Sequence, residues 1–154
     1  MKINHKTFED NRGSFTAIPT NFAGQEWNQF NVVTNEKKYT FRGLHYQTNP
    51  LQNKCIKVIQ GKIIDIWVDL DTKEVKTFEL ENTEFLYVPN KYAHGYLTLE
   101  EDTIVTYLVE GKYNPDSEHS IVWNTLPKVK KIIDKYIGNN EIIISEKDEV
   151  GKWK

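Results

Sequence analysis

The sequence predicts an all-β protein: an antiparallel sandwich or barrel of the jelly-roll type, with one short helix near its C-terminus. Two patterns support this fold class. Short segments rich in β-branched and aromatic residues recur along the chain, and turn residues separate them, as in all-β folds built from antiparallel sheets. A helical repeat of apolar residues is convincing at only one place, close to the C-terminal end.

Seven of these segments are predicted to be strands. Within residues 62–70, Ile64 and every second residue after it are aliphatic, whereas Asp65 and Asp69 fall on the opposite face. Gln60-Gly61 lies between two of the segments and predicts a tight hairpin. The predicted strands cover residues 28–34, 54–60, 62–70, 77–80, 85–88, 95–99 and 103–109.

The helix is predicted from Pro127 to the residue before Gly138. Proline suits the first position of a helix, because its missing N–H group is not needed there, and glycine commonly ends one. Between these two residues, the apolar residues from Val129 to Tyr136 repeat at helical spacing. The segment Glu141 to Ser145 then returns to an extended pattern.

Composition narrows the possible functions. The chain has 154 residues and a net charge of −2, so no global field favours nucleic acid or an anionic membrane. Its one cysteine, Cys55, excludes an internal disulfide and fits a reducing compartment. We find neither an apolar leader segment nor a stretch of the roughly 20 apolar residues that span a bilayer. We therefore expect a cytoplasmic protein formed by a single domain over residues 1–154.

Two similar motifs carry the functional signal: Arg42-Gly43-Leu44-His45-Tyr46-Gln47 and Tyr92-Ala93-His94-Gly95-Tyr96. The chain has only four histidines, so two in such similar settings suggest a shared site. Imidazole suits proton transfer near neutral pH, because its ordinary pKa is about 6.5. Lys54 also begins the next predicted strand, which places cations on either side of His45 in the sequence.

Arg12 and Arg42 are the only arginines, and both lie in motif segments. A guanidinium group binds phosphate through two parallel hydrogen bonds. Because the global charge is slightly negative, an anionic ligand would have to be held by such locally placed cations.

Taken in order, the motifs resemble those of the dTDP-4-dehydrorhamnose 3,5-epimerase family, enzymes that act on nucleotide-linked 4-keto-6-deoxysugars. The resemblance covers nearly the whole chain. Its segments are Asp10 to Phe15, Gln29 to Asn31, Arg42 to Gln47, Lys54, the Gly61 turn with Asp65, Pro89 to Tyr96, Tyr107 to Glu118, Trp123-Asn124 and Ser145 to Asp148.

The resemblance implies a cupin-type jelly roll, a homodimer, a nucleotide-diphosphate-sugar substrate and no cofactor or metal. It assigns His45 as the base that removes a proton beside the C4 ketone, and Asp148 as the carboxylate paired with it. Tyr107 would return a proton from the opposite face, and Lys54 would oppose the enolate charge. A phenol has an ordinary pKa of about 10, so it is protonated at neutral pH, as an acid must be.

The resemblance also assigns a set of substrate-binding residues. Tyr113 aligns with an aromatic side chain that stacks on the nucleobase, and Asp65 is expected to orient a neighbouring polar group. The substrate-binding set is Arg12, Gln29, Asn31, Arg42, His94, Tyr113, Glu118 and Lys147.

The chain departs from the family pattern at Ala17, at Leu70-Asp71 and in a short connection from Thr72 to Phe85. These departures leave the nucleotide and the sugar open. They also leave open inversion at C3 alone, and a barrel that binds sugar nucleotides without catalysis. A metal-dependent cupin oxygenase is disfavoured, because neither His45 nor His94 belongs to the His-x-His pattern common in such sites.

Overall fold

We describe residues 2–4, 6–10, 13–17, 26–82 and 84–151 of the chain in a computed structural model. Strands form most of its regular structure. They are β1 (Lys2–Asn4), β2 (Lys6–Asp10), β3 (Gly13–Ala17), β4 (Gln29–Asn35), β5 (Phe41–Gln47), β6 (Lys54–Gln60), β7 (Ile63–Asp69), β8 (Val75–Leu80), β9 (Glu84–Val88), β10 (Tyr92–Thr98), β11 (Thr103–Val109) and β12 (Glu118–Ser120).

Two five-stranded antiparallel sheets form the body of the fold. The first sheet has the order β1-β9-β6-β11-β4, and the second has the order β12-β5-β10-β7-β8. Strands β2 and β3 pair with each other in a separate two-stranded sheet. Neighbours within each sheet are mostly distant in sequence, as expected when a chain crosses repeatedly between two facing sheets. The predicted all-β jelly-roll class is therefore confirmed.

The Gly61 turn does not form the hairpin predicted from Gln60-Gly61. Strand β6 belongs to the first sheet and β7 to the second, so the turn carries the chain across the sandwich. Gly61 has a φ of +81°, and a Cβ atom there would lie 2.3 Å from the Thr103 hydroxyl oxygen. Gly61 therefore lies in a turn between the two sheets, because β6 and β7 each pair with strands of a different sheet.

The predicted strand bounds agree with the structure at residues 54–60 and 103–109. Among the seven predicted strands, the bounds differ most in β10, which begins at Tyr92 rather than at Gly95. His94 therefore lies within a strand, paired with β5 on one side and β7 on the other. Strands β5 and β12 were not among the predicted seven, and both contribute to the cavity described below.

Apolar side chains pack on both faces of the second sheet. Between the two sheets, Ile63 and Trp67 of β7 meet Ile56 and Val105 of the first sheet. On the outer face, Ile64 and the aliphatic residues that alternate with it pack against the helix over residues 127–137, which is described below. The two faces predicted for residues 62–70 are thus confirmed.

The predicted helix is present as α1 (Pro127–Ile137), with proline in its first turn and Gly138 at its C-cap. Its buried residues, Val129, Ile133 and Ile137, cover the outer face of the second sheet. A second helix, α2 (Glu146–Val150), was not predicted. No helix in the described part of the chain is long and apolar enough to cross a membrane.

Candidate active site

Two adjoining cavities lie between the sheets, and three residues line both: His45, Lys54 and Tyr107. The inner cavity, of about 140 Å³, is also lined by Val33, Arg42, His94, Tyr96 and Asp148. The outer cavity, of about 220 Å³, is also lined by Gln29, Asn31, Gln52, Val109, Tyr113 and Glu118. One continuous cleft therefore gathers most of the predicted site residues.

His45 and Asp148 form a close pair at the inner cavity, although they are 103 positions apart in sequence. His45 Nε2 lies 2.5 Å from Asp148 Oδ1, and Asp148 Oδ2 accepts a hydrogen bond from the Gly43 N–H group at 3.1 Å. Burial acts to raise the pKa of Asp148, but the hydrogen bonds from His45 and Gly43 outweigh it and leave that pKa below its usual value. The carboxylate is therefore ionised and can stabilise an imidazolium.

Local structure explains how Asp148 reaches His45. Ser145 caps α2, and its hydroxyl accepts the Asp148 N–H group. Just before this cap, Ile143 is bonded to the chain next to β5: its carbonyl accepts the Phe41 N–H group at 2.7 Å, and its own N–H group donates to Tyr39. The segment that carries Asp148 is thus tied to the start of the strand that carries His45.

A second histidine–carboxylate pair lies beside the first. His94 Nε2 lies 2.8 Å from Asp65 Oδ2, and the Trp67 indole N–H group donates to Asp65 Oδ1 at 2.6 Å. Asp65 is fully buried, and each of its oxygens is bonded to a side chain of the same sheet. Asp65 therefore orients His94, as expected of a residue assigned to orient a neighbouring polar group.

The glycines of the two histidine motifs allow the strands that carry them to approach closely. A Cβ atom on Gly43 would lie 2.6 Å from the Gly95 Cα atom, and one on Gly95 would lie 2.6 Å from the Arg42 carbonyl oxygen. Because of this approach, His45 and His94 face each other across β5 and β10. The glycines are part of the motifs because the backbones touch there.

Tyr107 and Lys54 come from the facing sheet, on β11 and β6. Burial raises the pKa of Tyr107, with a smaller opposing effect from Arg42, so the phenol stays protonated at neutral pH. Burial lowers the pKa of Lys54, against the opposing fields of Glu118 and Asp65. Because Tyr107 belongs to the first sheet and His45 to the second, the two side chains line the inner cavity from opposite walls.

The outer cavity has a carboxylate at its edge. Glu118 Oε2 accepts hydrogen bonds from the Tyr113 hydroxyl at 3.1 Å and from Lys147 Nζ at 2.9 Å. Burial acts to raise the pKa of Glu118, but Lys147, His45 and the Tyr113 hydroxyl together outweigh it and lower that pKa. Gln29 and Asn31 lie on the same wall as each other, where the Gln29 side-chain amide donates to Asn31 Oδ1 at 2.7 Å.

Of the two arginines, Arg42 lies at the inner cavity, where its Nε atom donates to Asn35 Oδ1 at 2.8 Å. Arg12 lies outside the described residues. Sequence analysis missed Gln52 and Tyr96, which line the cavities. It also missed Trp67, whose indole N–H group donates to Asp65. Gln52 stands only two positions before Lys54, and this proximity to a predicted site residue could have identified it.

Within the described ranges, no group of three or more histidine, cysteine, aspartate or glutamate side chains is placed to hold a metal ion. In both histidines of the cleft, Nε2 is instead engaged by a carboxylate.

The model of one protein family, dTDP-4-dehydrorhamnose 3,5-epimerase, matches residues 1–153 of the chain. A curated relative, the dTDP-4-dehydrorhamnose 3,5-epimerase of Neisseria gonorrhoeae, is 31% identical over 132 residues, which are 77% of this chain and 40% of the relative. The matches to the first three curated relatives span only 40%, 63% and 52% of their lengths.

Solved structures show the same similarity along most of the chain. The Bacillus anthracis dTDP-4-dehydrorhamnose 3,5-epimerase, solved with TDP and PPi bound, superposes with a TM-score of 0.80 at 31% identity, covering 99% of this chain and 93% of that one. A Legionella pneumophila dTDP-6-deoxy-D-glucose-3,5-epimerase, in complex with dTDP-4-keto-L-rhamnose, gives 0.84 at 25% identity, covering 98% and 85%.

Proposed function

Because the chain belongs to the dTDP-4-dehydrorhamnose 3,5-epimerase family, we propose that it epimerises a nucleotide-diphospho-4-keto-6-deoxyhexose at C3 and C5. The substrate would resemble dTDP-4-dehydro-6-deoxyglucose, and the reaction needs no cofactor. We further propose that residues 1–154 act as one cupin-type epimerase domain. Its cytoplasmic location remains a prediction from the single cysteine.

The observation that carries this proposal is the placement of His45 and Tyr107 on opposite walls of the inner cavity. A ketone at C4 acidifies the hydrogens on C3 and C5. A base on one face can then remove a proton, and an acid on the other face can return one with inverted configuration. His45, supported by Asp148, is the base in this scheme, and Tyr107 is the acid.

Lys54 takes the third role, beside the ketone oxygen. Negative charge develops on this oxygen as the proton leaves, and a fixed ammonium group opposes it. One such electrostatic contact contributes about 3 kcal/mol to transition-state stabilisation. Lys54 lines both cavities next to His45 and Tyr107, which supports this role.

The remaining predicted residues would hold the substrate. Arg12 and Arg42 would bind the diphosphate, Tyr113 would stack on the nucleobase, and His94 would contact the sugar. Gln29, Asn31, Glu118 and Lys147 supply polar groups at the outer cavity and its edge. We also propose that Gln52, as a lining residue of that cavity, contacts the substrate.

Incubation with the substrate in deuterated water tests the proposal. We expect deuterium at both C3 and C5 of the product, because each returned proton comes from solvent-exchanged groups. Label at C3 alone would reduce the activity to 3-epimerisation. Binding without any exchange would indicate a non-catalytic sugar-nucleotide-binding protein.

The Tyr107→Phe variant separates the two proton transfers. It keeps the ring and removes the hydroxyl, so the fold should be preserved. We expect it to exchange substrate hydrogen with solvent while losing most of the inverted product, since abstraction and return use different groups. Epimerisation at the normal rate by this variant would assign the acid to another group.

We propose that the chain forms a homodimer through the outer face of the first sheet. Phe30 and Val32 of the edge strand β4 are 58% and 60% exposed, and Ile59 of β6 is 40% exposed. Exposed apolar side chains that cluster on one face are typical of association surfaces. Sedimentation analysis should show a dimer that Phe30→Glu weakens, and a monomeric wild-type protein would contradict the proposal.

A further inference from the structure

We infer that Trp67 is a positioning residue for His94: its indole N–H group fixes the Asp65 carboxylate, and this carboxylate keeps the ring proton of His94 on Nε2, so that Nδ1 is presented to the sugar. The inference deepens the proposed function, on which the contact between His94 and the sugar rests. Trp67 lines neither cavity, so it acts only through its two partners.

The hydrogen bonds define the direction of this chain of contacts. An indole N–H group can only donate, and an ionised carboxylate can only accept. Trp67 Nε1 donates a hydrogen bond to Asp65 Oδ1 at 2.6 Å, and His94 Nε2 lies 2.8 Å from the other oxygen, Asp65 Oδ2. A nitrogen that faces a carboxylate oxygen at this distance must carry the proton, so the neutral ring is the Nε2–H tautomer.

Packing keeps Trp67 in place. Its ring lies 4.7 Å from that of Phe78 and 5.0 Å from that of Tyr92, measured between centroids. Trp67 is 3% exposed and Asp65 is 0% exposed, so water cannot replace the indole as the donor. His94 is also the cross-strand partner of Trp67 on β10, which fixes the spacing of the three groups.

The consequence lies in the other ring nitrogen. Among residues 26–82 and 84–151, the side chain of His94 forms its hydrogen bond through Nε2 and leaves Nδ1 without a partner, and His94 lines the inner cavity. In the Nε2–H tautomer, Nδ1 is an acceptor, and it suits a hydroxyl group of the sugar. If the tautomer were reversed, Nδ1 would offer a donor, and that hydroxyl contact would change its polarity.

The Asp65→Asn variant tests the role of Trp67 directly. An amide has one oxygen and one NH₂ group, so it can face the two neighbours in either of two ways. If Trp67 holds the oxygen, the NH₂ group must face His94, and the ring must switch to the Nδ1–H tautomer. Long-range ¹⁵N–¹H spectra of the full chain at pH 8.5, assigned with His94→Ala, distinguish the two tautomers.

We expect Nε2–H for wild-type His94, Nδ1–H for Asp65→Asn, and a mixture for Asp65→Asn combined with Trp67→Phe. Persistence of Nε2–H in the single variant would overturn the inference, because the amide would then have turned its oxygen away from Trp67. A double variant as uniformly Nδ1–H as the single one would overturn it as well. These spectra need no substrate, so they are decisive even if the proposed activity is not found.

Activity provides the second readout. Trp67→Phe should lower kcat/KM by roughly tenfold, on the order of one hydrogen bond to a charged group. Phe78→Leu is the matched control, since it loosens packing against the same ring but leaves the indole N–H group intact, and it should stay within about twofold of wild type. Equal losses in the two variants would assign the effect to packing and overturn the inference.

Discussion

The cleft contains two histidine–carboxylate pairs that are chemically alike and built differently. His45 meets Asp148 across 103 positions, whereas His94 meets Asp65 across 29. The His45 side chain is 27% exposed and that of His94 is 9% exposed. The first carboxylate comes from a five-residue helix, and the second from β7, an interior strand of the second sheet.

The difference suggests a division of roles. A base must take up and release protons, so it benefits from contact with the cavity and with solvent. A group that orients substrate benefits from a fixed position, and both side chains of the His94–Asp65 pair are buried. The more exposed pair is therefore suited to proton transfer and the buried pair to binding.

The largest expected effect separates the two histidines. His45→Ala should abolish detectable epimerisation and solvent exchange, with a loss of about 10²- to 10⁴-fold, since general-base catalysis contributes on that scale. His94→Ala should lower kcat/KM while substrate hydrogen still exchanges with deuterated water. Mass spectrometry of recovered substrate and product measures both quantities.

Circular dichroism of the two alanine variants is the control for folding. The division of roles is wrong if His45→Ala continues to exchange substrate hydrogen, or if His94→Ala loses exchange to the same extent as His45→Ala.

The two carboxylates should separate activity from stability. Asp148→Asn should lower kcat by about a hundredfold, because the amide no longer stabilises an imidazolium. Its cost in stability should be the smaller of the two, because the His45 side chain is 27% exposed and solvent screens the pair. Asp65→Asn should instead lower the free energy of unfolding by about 1 to 3 kcal/mol, the scale for disturbing a buried hydrogen-bonded group. Urea denaturation and steady-state kinetics test this contrast, which the reverse ranking would refute.

The pH dependence tests Lys54. Because burial lowers the pKa of Lys54 and raises that of Tyr107, Lys54 should lose its proton first as the pH rises. The alkaline fall in kcat/KM should then begin below the ordinary lysine value of about 10.4. Lys54→Arg should be slower, but its alkaline fall should move to higher pH, since guanidinium stays charged. An unmoved profile would point to a different titrating group.

The smallest effect is expected at the ion pair that joins α2 to β12. Lys147 Nζ lies 2.9 Å from Glu118 Oε2, with side chains that are 44% and 22% exposed. Lys147→Ala should cost less than about 1 kcal/mol of stability, as for other exposed pairs. Since Ser145 still caps α2, kcat should change only a few-fold, and a loss as large as that of Asp148→Asn would show that the pair holds the base in place.

Local patterns alone determined a large part of this protein. Alternation of apolar residues predicted the two faces of β7, and helical spacing between Pro127 and Gly138 predicted α1. These features could be predicted because they depend on neighbours within a few positions. The motif resemblance likewise located residues that line the cleft, among them His45, Tyr107 and Lys54.

Only the tertiary structure decided which distant groups meet. The hairpin predicted at Gly61 was wrong, because a local pattern cannot show that β6 and β7 pair with other strands, in different sheets. Sequence reasoning also could not link Trp67 to Asp65 and His94, since one hydrogen bond runs along a strand and the other crosses to a neighbouring strand. Such contacts depend on which strands become neighbours and in what register, and the whole core sets this by burying both faces of the second sheet at once.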